Sequence, residues 1–176
     1  MLIGSAQHGA TLIEMLIGIA ILGILIALGL PGYSAWIQNT QIRTAAESVL
    51  NGMQLARNEA VRRNLNVQLV LGAQSSWTIS VPSTAEQIQA RDYGAGSTYV
   101  TVAAVPANAT TITFNSLGRV VGPPSAPIPI TQLDFDVPTS ILAATASRDL
   151  RIVVSPGGNI RMCDPTVTVA TDTRFC

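Results

Sequence analysis

Residues 9–31 of this 176-residue chain read GATLIEMLIGIAILGILIALGLP. From Ala10 to Leu30 there are 21 residues with a single charge, that of Glu14. Because a helix rises about 1.5 Å per residue and needs about 20 apolar residues to cross the hydrocarbon core, we expect a membrane-spanning helix. The alternative is a cleavable secretory signal. Its apolar core is usually about 7–15 residues long and ends at a small-residue cleavage site, whereas this run is longer and leads into Pro31.

Glu14 is the residue of this stretch that needs an explanation. A carboxylate at membrane depth costs about 2.5–3.5 kcal/mol on insertion scales, and an ionisable residue at such a depth is by default a functional residue. The alternative interpretation places Glu14 close enough to the lipid headgroups to stay solvated, with no role. The residues around Glu14 favour the functional interpretation.

The sequence GATLIE at residues 9–14, directly ahead of an apolar run that ends in Pro31, resembles the class III signal of type IV pilins and type II secretion pseudopilins. The resemblance implies that a prepilin peptidase cleaves between Gly9 and Ala10 on the cytoplasmic face and methylates the new N-terminus. Residues 1–9 are then the leader and residues 10–31 the transmembrane and assembly helix. Glu and Pro would occupy the fifth and twenty-second mature positions, as is usual in that family.

The same resemblance implies a role for Glu14 in assembly. Inside a filament of packed apolar helices a buried carboxylate needs a cationic partner, and the partner proposed for the family is the free amine of a neighbouring subunit, here at Ala10. Such a pair would set the axial register between subunits, as a lone polar residue sets register in a coiled coil. Pro31, together with Gly32, would permit a bend or a local melting of the helix.

Residues 32–64 have the pattern of an amphipathic helix, which would continue the membrane helix to about Arg63. Charged residues mostly occupy one side of this helix, and Asn64 ends the pattern. On the other side, apolar and small side chains recur at the spacings of three and four that indicate one buried stripe, at Ile42, Ala45, Ala46, Val49, Met53, Ala56 and Ala60. We expect this stripe to pack against a sheet.

In residues 65–176 the period of the pattern changes to two, which predicts short strands. Eight strands are predicted, at Val67–Leu71, Trp77–Val81, Tyr99–Val105, Thr110–Phe114, Gln132–Val137, Leu150–Val154, Asn159–Cys163 and Thr166–Ala170. Because short turns separate them, we expect an antiparallel sheet or two packed sheets. The predicted fold class is α+β, a long N-terminal helical spine packed on an antiparallel β domain of about eight short strands.

A helical spine followed by about eight short strands resembles the GspH/FimT/FimU group of minor pilins and pseudopilins. Phe114, three residues and then Gly118-Arg119 are similar to a segment of that group. The likeness covers most of the chain, and its most specific motif is the N-terminal one.

Cys163 and Cys176 are the only cysteines, with twelve residues between them. We expect them to form a disulfide, because a domain carried across the inner membrane enters an oxidising compartment. Two free thiols in a cytosolic protein are the alternative, and a zinc site is disfavoured because two thiolates without His make half a site. In the family, minor pilins of the type IV pilus often close their C-terminal end in this way, whereas the secretion homologue usually does not.

Two sets of polar residues in the second half of the chain are candidate ligand contacts. Asp134 and Asp136 are potential calcium ligands, although a solvated strand face explains them more simply. Some FimT-type proteins take up DNA through a C-terminal Gly-Arg-x-Arg motif, and the aligned segment here, residues 158–161, lacks the first Arg. Arg161 and Arg174 are therefore candidate DNA contacts, with pairing to nearby aspartates as the alternative, and no aromatic cluster offers a stacking surface.

The composition excludes several classes of enzyme. The chain contains no Lys, which excludes a Walker-type phosphate loop and a Schiff-base enzyme. Its one histidine, His8, precedes the apolar run, so a Ser–His–Asp triad or a His-rich zinc site is not available to the domain. Ten acids balance ten arginines, so net charge indicates neither nucleic acid nor anionic lipid as a partner. We predict a protein with no catalytic residues, no metal and no cofactor.

The sequence and the resemblance together predict a minor pilin of the type IV pilus, a structural subunit that helps to initiate assembly at the tip. A GspH-like pseudopilin of type II secretion and a FimT-like DNA receptor in natural transformation are the alternatives. The implied partners are other major and minor pilins, the prepilin peptidase and the bacterial inner membrane. The chain would cross that membrane once, with its C-terminal domain in the periplasm, and would then enter the pilus.

Overall fold

The computed structural model of the chain describes residues 11–122 and 128–176, and of Leu30 and Pro31 it describes the backbone alone. The chain divides into two compact units, Met1–Trp36 and Ile37–Cys176. One helix, α1 (Leu12–Arg63), begins in the first unit and ends in the second. The helical spine therefore ends where its sequence pattern predicts.

A Schellman motif closes the C-terminal end of α1. The amide of Leu65 donates to the carbonyl of Ala60 at 3.2 Å, and the amide of Asn64 donates to the carbonyl of Val61 at 3.4 Å. Asn64 has φ 53°, a left-handed conformation that Asn tolerates better than most residues. These bonds explain why the helix ends at Arg63.

A cluster of ion pairs joins this end of α1 to the sheet. Glu59 Oε2 accepts hydrogen bonds from Arg62 Nη2 at 2.6 Å and from Arg63 Nε at 2.7 Å. Arg63 Nη1 also reaches Glu86 Oε1 at 2.9 Å. The hydrogen bonds from Arg62 and Arg63 stabilise the ionised carboxylate and lower the pKa of Glu59 from 4.5 to about 2.

Within the described residues, nine short strands follow α1, and they pair antiparallel in two sheets. The strands are β1 (Val67–Leu71), β2 (Trp77–Val81), β3 (Glu86–Arg91), β4 (Thr101–Val105), β5 (Thr111–Phe114), β6 (Val120–Val121), β7 (Gln132–Asp136), β8 (Leu150–Val154) and β9 (Ile160–Cys163). The five-stranded sheet has the order β3-β2-β1-β5-β6, and the four-stranded sheet has the order β4-β7-β8-β9. The predicted fold class is confirmed.

The seven apolar residues of the predicted stripe are all buried, each with 1% exposure or less. On the same side, α1 approaches the five-stranded sheet at Gly52 and Ser48, where Leu69 of β1 and Trp77 of β2 are buried. Gly52 allows a close approach there, since a Cβ at this position would lie 3.1 Å from atoms of both side chains. Trp77 Nε1 donates to Ser48 Oγ at 2.9 Å, so the indole N–H is satisfied inside the core.

Two turns, one from each sheet, meet at the exposed side of α1. The amide of Val120 donates to the carbonyl of Pro156 at 3.1 Å, and Arg57 Nε donates to the carbonyl of Gly118 at 3.1 Å. Gly158 has φ +81°, and a Cβ on it would collide with the carbonyl oxygen of Gly118. The two Gly-containing segments noted in the sequence are thus packed against each other.

Three details of the predicted strand list need correction. The strands β3 and β6 were not predicted, and the strand predicted at Thr166–Ala170 is wrong because these residues form turns and irregular structure. A turn replaces the ladder there, since Asp164 Oδ1 accepts hydrogen bonds from the amide of Thr166 at 2.9 Å and from its hydroxyl at 2.6 Å. Pro165 has no N–H to donate to a sheet.

Candidate assembly site

The apolar part of α1 has no partner within the described chain. The large apolar side chains from Leu12 to Leu28 are each at least 52% exposed. Within residues 11–122 and 128–176, α1 is the one helix long and apolar enough to cross a membrane. An exposed apolar surface of this extent indicates contact with lipid or with other apolar helices.

Glu14 lies in the first turn of α1, where Thr11 is the N-cap. Thr11 Oγ1 accepts a hydrogen bond from the amide of Glu14 at 3.3 Å, and its carbonyl accepts one from the amide of Met15 at 3.2 Å. Glu14 is therefore the third residue of the helix, where the partial positive charge of the helix N-terminus stabilises an anion. Thr-x-x-Glu is the sequence signature of a capping box, so this helix start was predictable from the sequence, although it was not among the predictions above.

The other predicted processing and assembly residues are only partly visible. Gly9 and Ala10, the predicted cleavage pair, lie outside the described residues. At Pro31 the backbone is helical and α1 continues through it. Because proline has no N–H, the helix lacks one hydrogen bond at this turn, which makes it a locally weaker segment.

Two aromatic residues directly follow the apolar run. The rings of Tyr33 and Trp36 are stacked, with centroids 5.9 Å apart and an angle of 27° between their planes. Both side chains are largely exposed, Tyr33 at 61% and Trp36 at 62%. Their spacing of three residues on a helix is the sequence signal for this pair, which was not among the predictions above.

The C-terminal tail is closed by the predicted disulfide. Cys163 and Cys176 are bonded, with their Cα atoms 5.2 Å apart. The tail returns alongside the end of β9, where the amide of Asp164 donates to the carbonyl of Arg174 at 2.8 Å and Asp164 pairs with Phe175 in a parallel bridge. The disulfide prediction is confirmed.

Both candidate DNA-contact residues have partners inside the chain. Arg174 Nη2 donates to Asp172 Oδ2 at 2.8 Å, and this guanidinium lowers the pKa of Asp172 to about 2. Arg161 Nη2 donates to the main-chain oxygen of Cys176 at 2.9 Å. Arg174 therefore pairs with an aspartate, as the alternative interpretation predicted, whereas Arg161 binds the backbone of the tail.

The acidic residues of β7 are likewise engaged within the chain. Arg151 Nε donates to Asp134 Oδ1 at 2.6 Å. The Ser147 hydroxyl contacts Asp149 Oδ1 at 2.6 Å and Asp136 Oδ1 at 3.2 Å. Burial raises the pKa of Asp149, and the nearby Asp136 raises it further. Among the residues that the structure describes, no three His, Cys, Asp or Glu side chains are grouped to hold a metal ion.

Two family models match the chain. The model described as "Type II transport protein GspH" matches residues 45–158, and the model described as "Prokaryotic N-terminal methylation motif" matches residues 4–30. The second match covers the stretch that resembles the pilin signal. The first covers the C-terminal part of α1 and strands β1 to β8, and it ends before β9. The predicted family resemblance is confirmed.

Known proteins similar to the chain include pilus proteins of Pseudomonas aeruginosa. Two curated relatives named "Fimbrial protein" are each 41% identical over 56 residues, which is 32% of this chain. The match spans about a third of the length of these relatives, 36%. Crystal structures of the type IV minor pilin FimU in two space groups match with TM-scores of 0.51 and 0.52 and identities of 21% and 18%. They cover 72% and 76% of this chain and 99% of FimU, which shows a shared fold.

Proposed function

Since the chain belongs to the family of the type II transport protein GspH, we propose that it is a minor pilin, a structural subunit that helps to initiate a type IV pilus at its tip. The observation that carries the proposal is the exposed apolar part of α1, with Glu14 in its first turn. Its activity is assembly, and its partners are other major and minor pilins.

Processing precedes assembly in this proposal. A prepilin peptidase removes residues 1–9 and methylates Ala10, and the match to the N-terminal methylation motif supports this step. The chain then stays in the bacterial inner membrane through residues 10–31, with the domain in the periplasm. The Cys163–Cys176 disulfide supports the periplasmic placement, because structural disulfides persist in oxidising compartments.

Assembly transfers the apolar part of α1 from lipid to a bundle of similar helices. Lipid tails and apolar side chains are equally apolar, so close packing and polar contacts must select the partner. Gly18, Gly23 and Gly29 leave open space beside the helix, where a neighbouring helix can approach. Glu14 then pairs with the methylated amine of Ala10 on the next subunit, which fixes the axial register.

A pseudopilus of type II secretion is the main alternative, since the family model itself carries the name of a type II transport protein. The disulfide-closed tail favours a pilus, because the resemblance associates such tails with minor pilins. DNA uptake is less well supported, because Arg161 and Arg174 already have partners and Asp164 and Asp172 lie beside them. A gel shift across a salt series with no retardation at low salt would exclude the DNA receptor.

The test is the variant Glu14→Gln, which keeps the shape of the side chain and removes its charge. We expect the leader to be cleaved and the chain to reach the membrane, but filament numbers to fall well below the wild type. The matched control is Glu47→Gln, because Glu47 is a half-buried residue of α1 outside the apolar part and is paired with Arg43 at 2.7 Å. Wild-type filament numbers in the Glu14→Gln strain would contradict the proposal.

A further inference from the structure

We propose that Tyr33 and Trp36 form a lipid-binding site for the headgroup layer, which fixes the depth of α1 in the membrane before assembly. The inference rests on the proposed function, because it requires that the chain first resides in a bilayer. The occupant is the polar–apolar boundary of a phospholipid leaflet, at the end of the apolar run where the chain leaves the membrane.

The chemistry of the pair fits this boundary. Tyr and Trp combine an apolar ring with one polar group and are enriched where hydrocarbon meets water. The two rings stack on each other and are both more than half exposed, so they present one amphipathic surface on the helix. The residues on the N-terminal side are almost all apolar, and polar residues follow on the C-terminal side, at Gln38, Asn39, Thr40 and Gln41.

The spacing along α1 provides an independent argument. Tyr33 lies 19 residues after Glu14, and all residues between them are uncharged. At 1.5 Å per residue the two are about 28 Å apart along the helix, close to the roughly 30 Å thickness of the hydrocarbon core. With Tyr33 and Trp36 at one headgroup layer, Glu14 therefore reaches the opposite layer, where its carboxylate stays solvated until the helix enters a filament.

The experiment measures the depth of Trp36 by tryptophan fluorescence. The full chain is reconstituted in phosphatidylcholine vesicles that contain lipids brominated either next to the headgroup or near the chain end. Bromine quenches only indoles close to it. Trp77 is buried in the domain at 4% exposure and serves as an internal reference, and Trp36→Phe is the control that retains an aromatic ring.

We expect a larger loss of emission with bromine next to the headgroup than with bromine near the chain end, and loss of this quenching in Trp36→Phe. Stronger quenching by chain-end bromine, or no quenching of wild-type chain that floats with the vesicles, would overturn the inference. The second result would indicate that Trp36 lies in water, away from the bilayer. Neither result depends on filament assembly, so Glu14→Gln tests the proposed function separately. A chain that does not float with the vesicles would overturn both proposals.

Discussion

Gly158 shows how closely the two sheets approach each other. It has φ +81°, and a Cβ there would collide with the carbonyl oxygen of Gly118, which also accepts the hydrogen bond from Arg57. We expect Gly158→Ala to lower the free energy of unfolding by about 1–3 kcal/mol, the usual range for a residue held in a strained backbone conformation. Unfolding of the full chain by urea in detergent, followed by circular dichroism, measures this loss.

Gly157 offers the matched control for that substitution. A Cβ at Gly157 would have its nearest neighbour, Ser155 Oγ, 3.9 Å away. Gly157→Ala should therefore change the midpoint of unfolding much less than Gly158→Ala. Equal midpoints for the two variants would contradict the packing of the two turns.

Glu59 makes the stability of the domain depend on pH in the acid range. The guanidinium groups of Arg62 and Arg63 lower the pKa of Glu59 to about 2, below its usual 4.5. A carboxylate whose pKa is lower in the folded state stabilises that state above pH 4.5 and loses this contribution as the pH falls towards 2. Wild type should thus be more stable than Glu59→Gln at neutral pH, and the difference should shrink below pH 4.5. A difference that stayed constant with pH in urea titrations would contradict this role.

The junction between α1 and the five-stranded sheet depends on one buried hydrogen bond. Ser48 and Trp77 are 6% and 4% exposed, and the indole N–H donates to Ser48 Oγ at 2.9 Å. Ser48→Ala leaves a buried donor without a partner, so we expect a loss of about 1–3 kcal/mol in the free energy of unfolding. In the matched background Trp77→Phe, which lacks the indole N–H, Ser48→Ala should lower the free energy of unfolding much less. An equal loss of unfolding free energy in both backgrounds would show that the hydrogen bond does not contribute to stability.

Sequence periodicity predicted the elements that bury one face. All seven residues of the helical stripe are in the core, and strands with alternating apolar residues, such as β1 and β2, lie where they were expected. It failed for β3 (Glu86–Arg91), where only Ile88 and Ala90 alternate with polar residues. This edge strand is mostly exposed and is held by its backbone pairing with β2. Val120–Val121 is too short to show a period.

The false strand at Thr166–Ala170 has the opposite cause. Val167 and Val169 alternate with threonines. However, the Asp164 side chain accepts a hydrogen bond from the amide of Thr166 directly after β9. The Cys163–Cys176 disulfide also holds the tail close to β9, where Phe175 pairs with Asp164. These are interactions between side chain and backbone or between distant residues, which a period of two does not encode. For the same reason the partners of Arg161 were not predictable from the residues beside it.

The molecule as a whole combines a stable domain with an apolar helix that needs other molecules. The unit Ile37–Cys176 contains both sheets and the buried core, whereas the described large apolar residues of Met1–Trp36 are exposed. In the proposed function this surface is covered first by a bilayer and then by a bundle of similar helices. This exchange of partners requires that residues 1–9 are first removed by the proposed cleavage.

Mass spectrometry of sheared, purified filaments tests this account most directly. We predict peptides of this chain in the filament fraction, with a methylated N-terminus at Ala10 and a Cys163–Cys176 linkage. Gly9→Ala should abolish both the Ala10 terminus and the presence of the chain in filaments. Filaments that lack the chain although cells hold it in the inner membrane, or filaments that contain it with Met1 intact, would contradict the central claim.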